Sequence, residues 1–181
     1  MSAGAGEAGP DQAKQRAGSA ERDALQTILV GTDGSPASMD AVSFAIDLAS
    51  RHRAQLVFVN VVRTIDADSD LGIDVDETET LPHEPTGTER AVVDGAVALA
   101  AASGVRATGA IVAGAAADAI ARYGNSHDVD LVVVGSRGRG RVAGALLGSV
   151  SQGVLRKSTR PVLIVHGAIG RDRDLATPDA T

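Results

Sequence analysis

The chain has 181 residues, 44% of them apolar and only 2% aromatic, with no cysteine and a net charge of −6. That length suits one domain with short extensions, and the apolar content is ample for a core. Disulfides, thiol catalysis and thiolate metal sites are excluded, and an acidic chain poor in aromatics is a poor match for nucleic acid, which favours basic surface and stacking platforms.

Residues 1–24 are rich in Ala, Gly and charge and read as a disordered arm. They carry no apolar run of the kind a secretory signal needs, and the most apolar stretch, Gly95–Val105, is too short to span a bilayer. The expectation is a cytoplasmic protein that engages neither membrane nor nucleic acid.

Thr27–Thr32 (TILVGT) is a short apolar run of the type a parallel sheet buries on both faces. It ends at Asp33-Gly34-Ser35-Pro36, a turn with proline at a helix start. Ala37 to about Arg53 has helical spacing, with Ala41, Phe44, Ala45, Leu48 and Ala49 on one face, and Gln55–Val62 is the second strand. Residues 63–89 differ: they concentrate Asp and Glu around Pro82 and Pro85 and read as an acidic loop inserted in a domain spanning 25–166. Asp66, Asp68 and Asp70 alternate as in a calcium loop, but the required glycine and terminal glutamate are out of place.

An alanine-rich helix is expected over Thr88–Ser103, stopped by Gly104, and Val105–Val112 is the third strand. Ala115–Tyr123 is a further helix, closed by Gly124 and Asn125. The fourth strand is Asp130–Gly135, and Ala143–Lys157 is a helix that buries Leu146, Leu147, Val150, Val154 and Leu155. Pro161–Val165 is the fifth strand, and a polar tail occupies 167–181. Strands alternating with helices indicate a parallel α/β sheet with right-handed crossovers. Such a sheet binds ligands beyond the carboxyl ends of its strands, where strand order reverses.

The chemistry gathers after the fourth strand. Small residues recur there as Gly135-x2-Gly138-x9-Gly148-Ser149, and from Leu131 to Arg171 there is no acid, while Arg137, Arg139, Arg141, Arg156, Lys157 and Arg160 are present. Glycine lets the backbone approach a ligand closely, and N–H groups at a turn and helix start cradle anions. Gly148 falls inside the expected helix, where glycine costs about 1 kcal/mol against alanine, a cost that points to close approach by a ligand or another backbone. Asp33 ends the first strand, where an Asx turn, a ribose contact and a metal-mediated phosphate contact are all open. The histidines, His52, His83, His127 and His166, lack ligand spacing. No Gly-x4-Gly-Lys-Ser/Thr motif is present, and Gly138-x-Gly140-x3-Gly144 misses the dinucleotide spacing by one residue. No nucleophile–base pair can be picked out.

The spaced glycine pattern after a buried strand resembles the ATP-binding signature of the universal stress protein family. Ile28–Ser38 (ILVGTDGSPAS) and Arg160–Val165 (RPVLIV) carry the resemblance further, so that it covers roughly Gln26 to Val165. It implies a single Rossmann-like α/β domain whose five parallel strands run in the order 3-2-1-4-5, with helices on both faces. Asp33 and Gly135 would then face each other across one crevice. The resemblance implies ATP as ligand, with AMP or a cyclic nucleotide as alternatives. Gly31, Thr32 and Val61 would lie by the adenine, and Asp33 by ribose or a Mg2+ carried with the phosphates. Backbone N–H groups around Gly138 and Gly148, with the Ser149 hydroxyl, would hold the phosphates, and Val134, Gly135 and Val150 complete the contact set. From charge alone Arg137, more than Arg139 or Arg141, could pair with the phosphates or face solvent. It further implies a regulatory module that switches with its ligand, a slow Mg-dependent ATPase being the alternative, and a homodimer paired along Pro161–Val165.

Overall fold

The computed structural model describes residues 25–62, 85–136 and 147–166. Its strands are β1 (Thr27–Gly31), β2 (Gln55–Val62), β3 (Ala107–Ala113), β4 (Leu131–Gly135) and β5 (Val162–Val165). Between them run the helices α1 (Pro36–His52), α2 (Gly87–Ala102), α3 (Ala116–Ser126) and α4 (Ser149–Lys157). All strand pairs are parallel, in the expected order β3-β2-β1-β4-β5.

The central strands β1 and β4 are apolar on both faces because both faces are covered. Ile28, Val30, Leu56, Phe58 and Val133 point toward α1 and α2, whose Ala41, Val42, Ala45, Ile46, Ala49, Ala96 and Ala100 complete that layer. Leu29, Val59, Val132 and Val134 point the other way, toward Ile120 of α3 and Val154 of α4. Phe58 is wholly buried; truncating such a side chain to alanine costs about 3–5 kcal/mol.

Local chemistry sets the helix ends. Ser35 caps α1 by accepting the Ser38 N–H, and Pro36 follows at the first helical position. Arg53 ends α1 in the left-handed region at φ 57° and donates its N–H to the Ala49 carbonyl. Thr86 and Glu89 form a reciprocal capping box at the start of α2. Glu89 therefore belongs to a helix start, although it closes the acidic stretch in sequence; residues 63–84 of that stretch lie outside the described residues.

Several boundaries and faces differ from expectation. Phe44 is 44% exposed, because the sheet covers a stripe centred on Val42, Ala45, Ile46 and Ala49 rather than the neighbouring one. The third strand begins at Ala107, and the buried Val105 instead bonds back to the Ala100 carbonyl at the end of α2. Helix α3 does not stop at Gly124 but runs through it to Ser126. Gly124 is buried there, and a Cβ on it would lie 3.1 Å from Val132 Cγ2, so the glycine serves close packing on the sheet rather than helix termination. On α4, Val154 is buried as expected, but Val150 is exposed and Leu155 is 53% exposed. Leu147 precedes the helix and Leu146 lies outside the described residues.

Candidate functional site

Strand order reverses between β1 and β4: the chain leaves β1 for β2 on one side and leaves β4 for β5 on the other. A cleft opens there, beyond the carboxyl ends of the strands, at the place where doubly wound sheets bind ligands. Its floor is one row of the sheet. Gly31 is in register with Val59 of β2 on one side and Val134 of β4 on the other. Ile120 of α3 covers that row, and a Cβ on Gly31 would lie 2.9 Å from its Cδ1. Val61 and Ala116 extend the same aliphatic surface toward the mouth.

One wall is the turn from β1 into α1. Thr32 continues the ladder one bond beyond β1, its N–H donating to the Val59 carbonyl at 2.9 Å. Asp33 is half-buried and forms an Asx turn, Oδ1 accepting the Ser35 N–H at 2.9 Å. Gly34 follows at φ 75°, a conformation that suits glycine. Ser38, only 4% exposed, braces this turn from inside: its hydroxyl donates to the Ser35 carbonyl at 2.9 Å and lies 3.3 Å from Thr32 Oγ1.

The other wall is the end of β4 and the start of α4. Ser136 donates its N–H to the Val165 carbonyl, and Gly148 donates its own to the Ser136 carbonyl, each at 2.7 Å. The hydroxyl of Ser151 reaches across to the carbonyls of Gly135 at 2.8 Å and Ser136 at 3.2 Å. Gly148 is the N-cap of α4 rather than an interior residue, with φ −72° and ψ 161°. The helix-interior cost expected for it therefore does not arise, since this extended backbone is open to any residue. Lacking a side chain, Gly148 leaves the first-turn N–H groups of α4 without a side-chain cap, and that turn holds no acid. The start of α3 is also uncapped, but its first turn carries Asp118, which pairs with Lys157 at the end of α4. The start of α4 is therefore the better anion-binding end.

The residues expected from sequence are thus placed as follows. Gly31, Thr32, Asp33, Val61, Val134, Gly135, Gly148, Ser149 and Val150 all line this one cleft. Arg137 and Gly138, with Arg139 and Arg141, lie outside the described residues. Gly135 has a structural task as well: a Cβ on it would meet the backbone of Ala37, so the close approach it permits is that of α1. Sequence reasoning missed Ser38, Val59, Ala116, Ile120 and Ser151, which also line the cleft. Val59 was accessible, since alternation puts it on the same face as Val61. Ala116 and Ile120 are one turn apart on α3, a pairing that signals a shared face without saying what it covers.

Among the described residues no group of three or more His, Cys, Asp or Glu could hold a metal ion. Asp33 is the one carboxylate lining the cleft among them. That donor set fits a magnesium ion that arrives with phosphates and keeps most of its waters, rather than an all-protein metal cage. No helix among the described residues is long and apolar enough to cross a membrane.

Comparison with known proteins gives a consistent result. The model of the universal stress protein family matches residues 24–166. A universal stress protein of Mycobacterium tuberculosis is 33% identical over 144 residues, covering 79% of this chain and 97% of that protein. A second, longer one from the same organism is 32% identical over 142 residues, covering 78% of this chain. The chain spans only 46% of that longer relative's length. Among solved structures, a universal stress protein in complex with cAMP is 33% identical with a TM-score of 0.61, covering 81% of this chain and 100% of that one. A protein of the family from Burkholderia pseudomallei is 25% identical with a TM-score of 0.57, covering 79% and 97%.

Proposed function

We propose the function of this chain from one premise: it belongs to the universal stress protein family. In this reading it binds an adenine nucleotide in the cleft between β1 and β4 and serves a stress response as a ligand-dependent regulatory module. The observation that carries the reading is convergence. Residues from β1, β2, β4 and α4, singled out by sequence, line one cleft with an aliphatic floor at one side and an uncapped helix start at the other. Those two halves match the two halves of a nucleotide.

The adenine rests on Val59, Val61 and Ile120; with so few aromatics in the chain, aliphatic packing and backbone hydrogen bonds must recognise it. The ribose lies by Asp33. The phosphates meet the first-turn N–H groups of α4 and the Ser149 hydroxyl, where a helix start stabilises negative charge. Magnesium, when bound, neutralises phosphate charge beside the Asp33 carboxylate. The role proposed is holding rather than turnover; of the cleft's hydroxyls those of Ser38 and Ser151 are committed to backbone carbonyls, and that of Ser149 is assigned to holding the phosphates.

ATP is the ligand we favour. A cyclic or simple monophosphate is the second reading, and the cAMP held by the relative at 33% identity supports it. Calorimetric titration of Mg-ATP, AMP and cAMP into protein stripped of nucleotide tests both readings, with Gly148→Val as the control. Because Gly148 has a backbone conformation that valine accepts, the variant puts a side chain at the cleft without straining the backbone, and circular dichroism checks that it is folded. Binding in the wild type that is lost in folded Gly148→Val supports the site. Absence of heat with all three nucleotides removes the reading.

A further inference from the structure

Ser151 is 2% exposed, the most deeply buried of the polar side chains among the described residues. It stands in the first turn of α4, and its hydroxyl donates out of the helix to the carbonyls of Gly135 and Ser136 at the end of β4. The backbone bond from Gly148 N–H to the Ser136 carbonyl lies immediately before it. Two ties, one before the first turn and one within it, therefore fasten the start of α4 to the strand end. The Gly148 tie acts at the cap, where the chain still has extended backbone. Among the described residues the Ser151 tie is the hydrogen bond that joins the inside of the first turn to the strand end, so it helps set how the turn is rotated about the helix axis. Gly153 against Ala117 and the buried Val154 hold the helix one turn further on.

Rotation matters because an N–H···O bond weakens steeply as it leaves linearity, and a binding constellation must be held to within about half an ångström. The opposite wall is braced separately, by Ser38 on Ser35. The two ends of the cleft are thus held by different side chains. We propose that Ser151 is a positioning residue for the phosphate of the bound nucleotide: it orients the first turn of α4 and does not itself contact the ligand. This inference rests on the nucleotide reading above. A hydroxyl that merely satisfied two carbonyls would affect stability alone and treat every part of a ligand equally.

The test compares AMP with adenosine, which lacks the phosphate, in wild type, Ser151→Ala and Ser151→Thr. Affinities are measured by calorimetry, adenosine by displacement where its heat is small, and folding by circular dichroism. Ser151→Ala is expected to weaken AMP about tenfold, the equivalent of one well-placed hydrogen bond, and to leave adenosine within about twofold; Ser151→Thr, which keeps the hydroxyl, restores AMP. If Ser151→Ala does not fold, Ser151→Cys keeps the shape with a slightly larger atom, gives up the strong donor and carries the same comparison. AMP affinity that is unchanged, or that falls in equal proportion to adenosine, overturns the proposal. Where wild type binds Mg-ATP but not AMP, Mg-ATP takes the place of AMP in the comparison. Wild type that binds none of Mg-ATP, AMP, cAMP and adenosine overturns the nucleotide reading itself and the proposal with it.

Discussion

Gly135 and Ala37 are in backbone contact: the Cβ that Gly135 lacks would stand 2.5 Å from the Ala37 carbonyl oxygen and 3.0 Å from the Ser38 nitrogen. The end of β4 and the first turn of α1, which carry the two walls of the cleft, meet at this glycine. Backbone in a capped first turn cannot swing aside as a side chain can. Gly135→Ala is therefore expected to destabilise the fold by about 1–3 kcal/mol, as overpacking does. Gly31→Ala meets only the movable tip of Ile120 at 2.9 Å and Val134 Cγ1 at 3.2 Å, so its cost should be the smaller. Urea unfolding of both variants checks this, and midpoints that fall equally would contradict it.

That contact also shows what was legible in sequence and what was not. The central strands could be read because β1 and β4 are buried on both faces, which leaves an unbroken apolar run such as Leu131–Val134. The strand order came from resemblance, since periodicity says nothing about which strands are neighbours. The cleft residues at the ends of the first and fourth strands followed once the resemblance had placed those strands side by side, and Gly148 and Ser149 came from the spaced glycine pattern. The purpose of the glycines did not. Gly124, Gly135 and Gly148 look alike in sequence, yet one packs on the sheet, one admits α1 and one caps α4. Phe44 was misplaced because positions 41, 44, 45 and 48 and positions 42, 45, 46 and 49 are both helical stripes, and only the sheet's position chooses between them. Ser38 and Ser151 were invisible because a serine looks the same in sequence whether its partner is water or a carbonyl.

At Asp33 an observed role, the turn bond, can be separated from a proposed one, attraction for magnesium. Its Oδ1 accepts the Ser35 N–H at 2.9 Å, which asparagine can still do, whereas attraction for magnesium needs the charge. Asp33→Asn should therefore keep the turn but reduce Mg-ATP affinity toward that of ATP without metal. Asp33→Ala should do the same and also lose about 1 kcal/mol of stability with the turn bond. Titrating ATP with and without Mg2+ into each variant decides the matter. Magnesium dependence that survives in Asp33→Asn assigns the carboxylate to ribose instead.

Ile120 sits on the row formed by Val59, Gly31 and Val134 and is almost fully buried. Removing one methyl with Ile120→Val should cost about 0.5–1.5 kcal/mol of stability. If the adenine rests on this surface, AMP and adenosine should weaken together, by up to about fourfold for one lost methyl contact. That pattern is the opposite of the one expected at Ser151. Equal affinity in wild type and Ile120→Val would move the base off this floor.

Among the described residues β5 is an edge of the sheet, with no strand paired beyond it. Pro161 and Val165 turn their carbonyls toward β4, accepting from Val132 and Ser136. Alternation along the strand then points the N–H and C=O groups of Val162 and Ile164 away from the sheet. A second copy of the chain pairing along this edge would bond to those groups. Proline removes an N–H, and an edge strand tolerates it where that N–H faces solvent. Ile164→Pro should therefore leave the β4–β5 ladder in place while breaking the pairing, so a dimeric mass in light scattering should fall to the monomer with circular dichroism unchanged. Leu163→Asp is the less discriminating variant, because Leu163 packs into the layer under α1 and a charge there attacks the core as well. A dimeric mass unmoved by Ile164→Pro would place the interface elsewhere on the molecule.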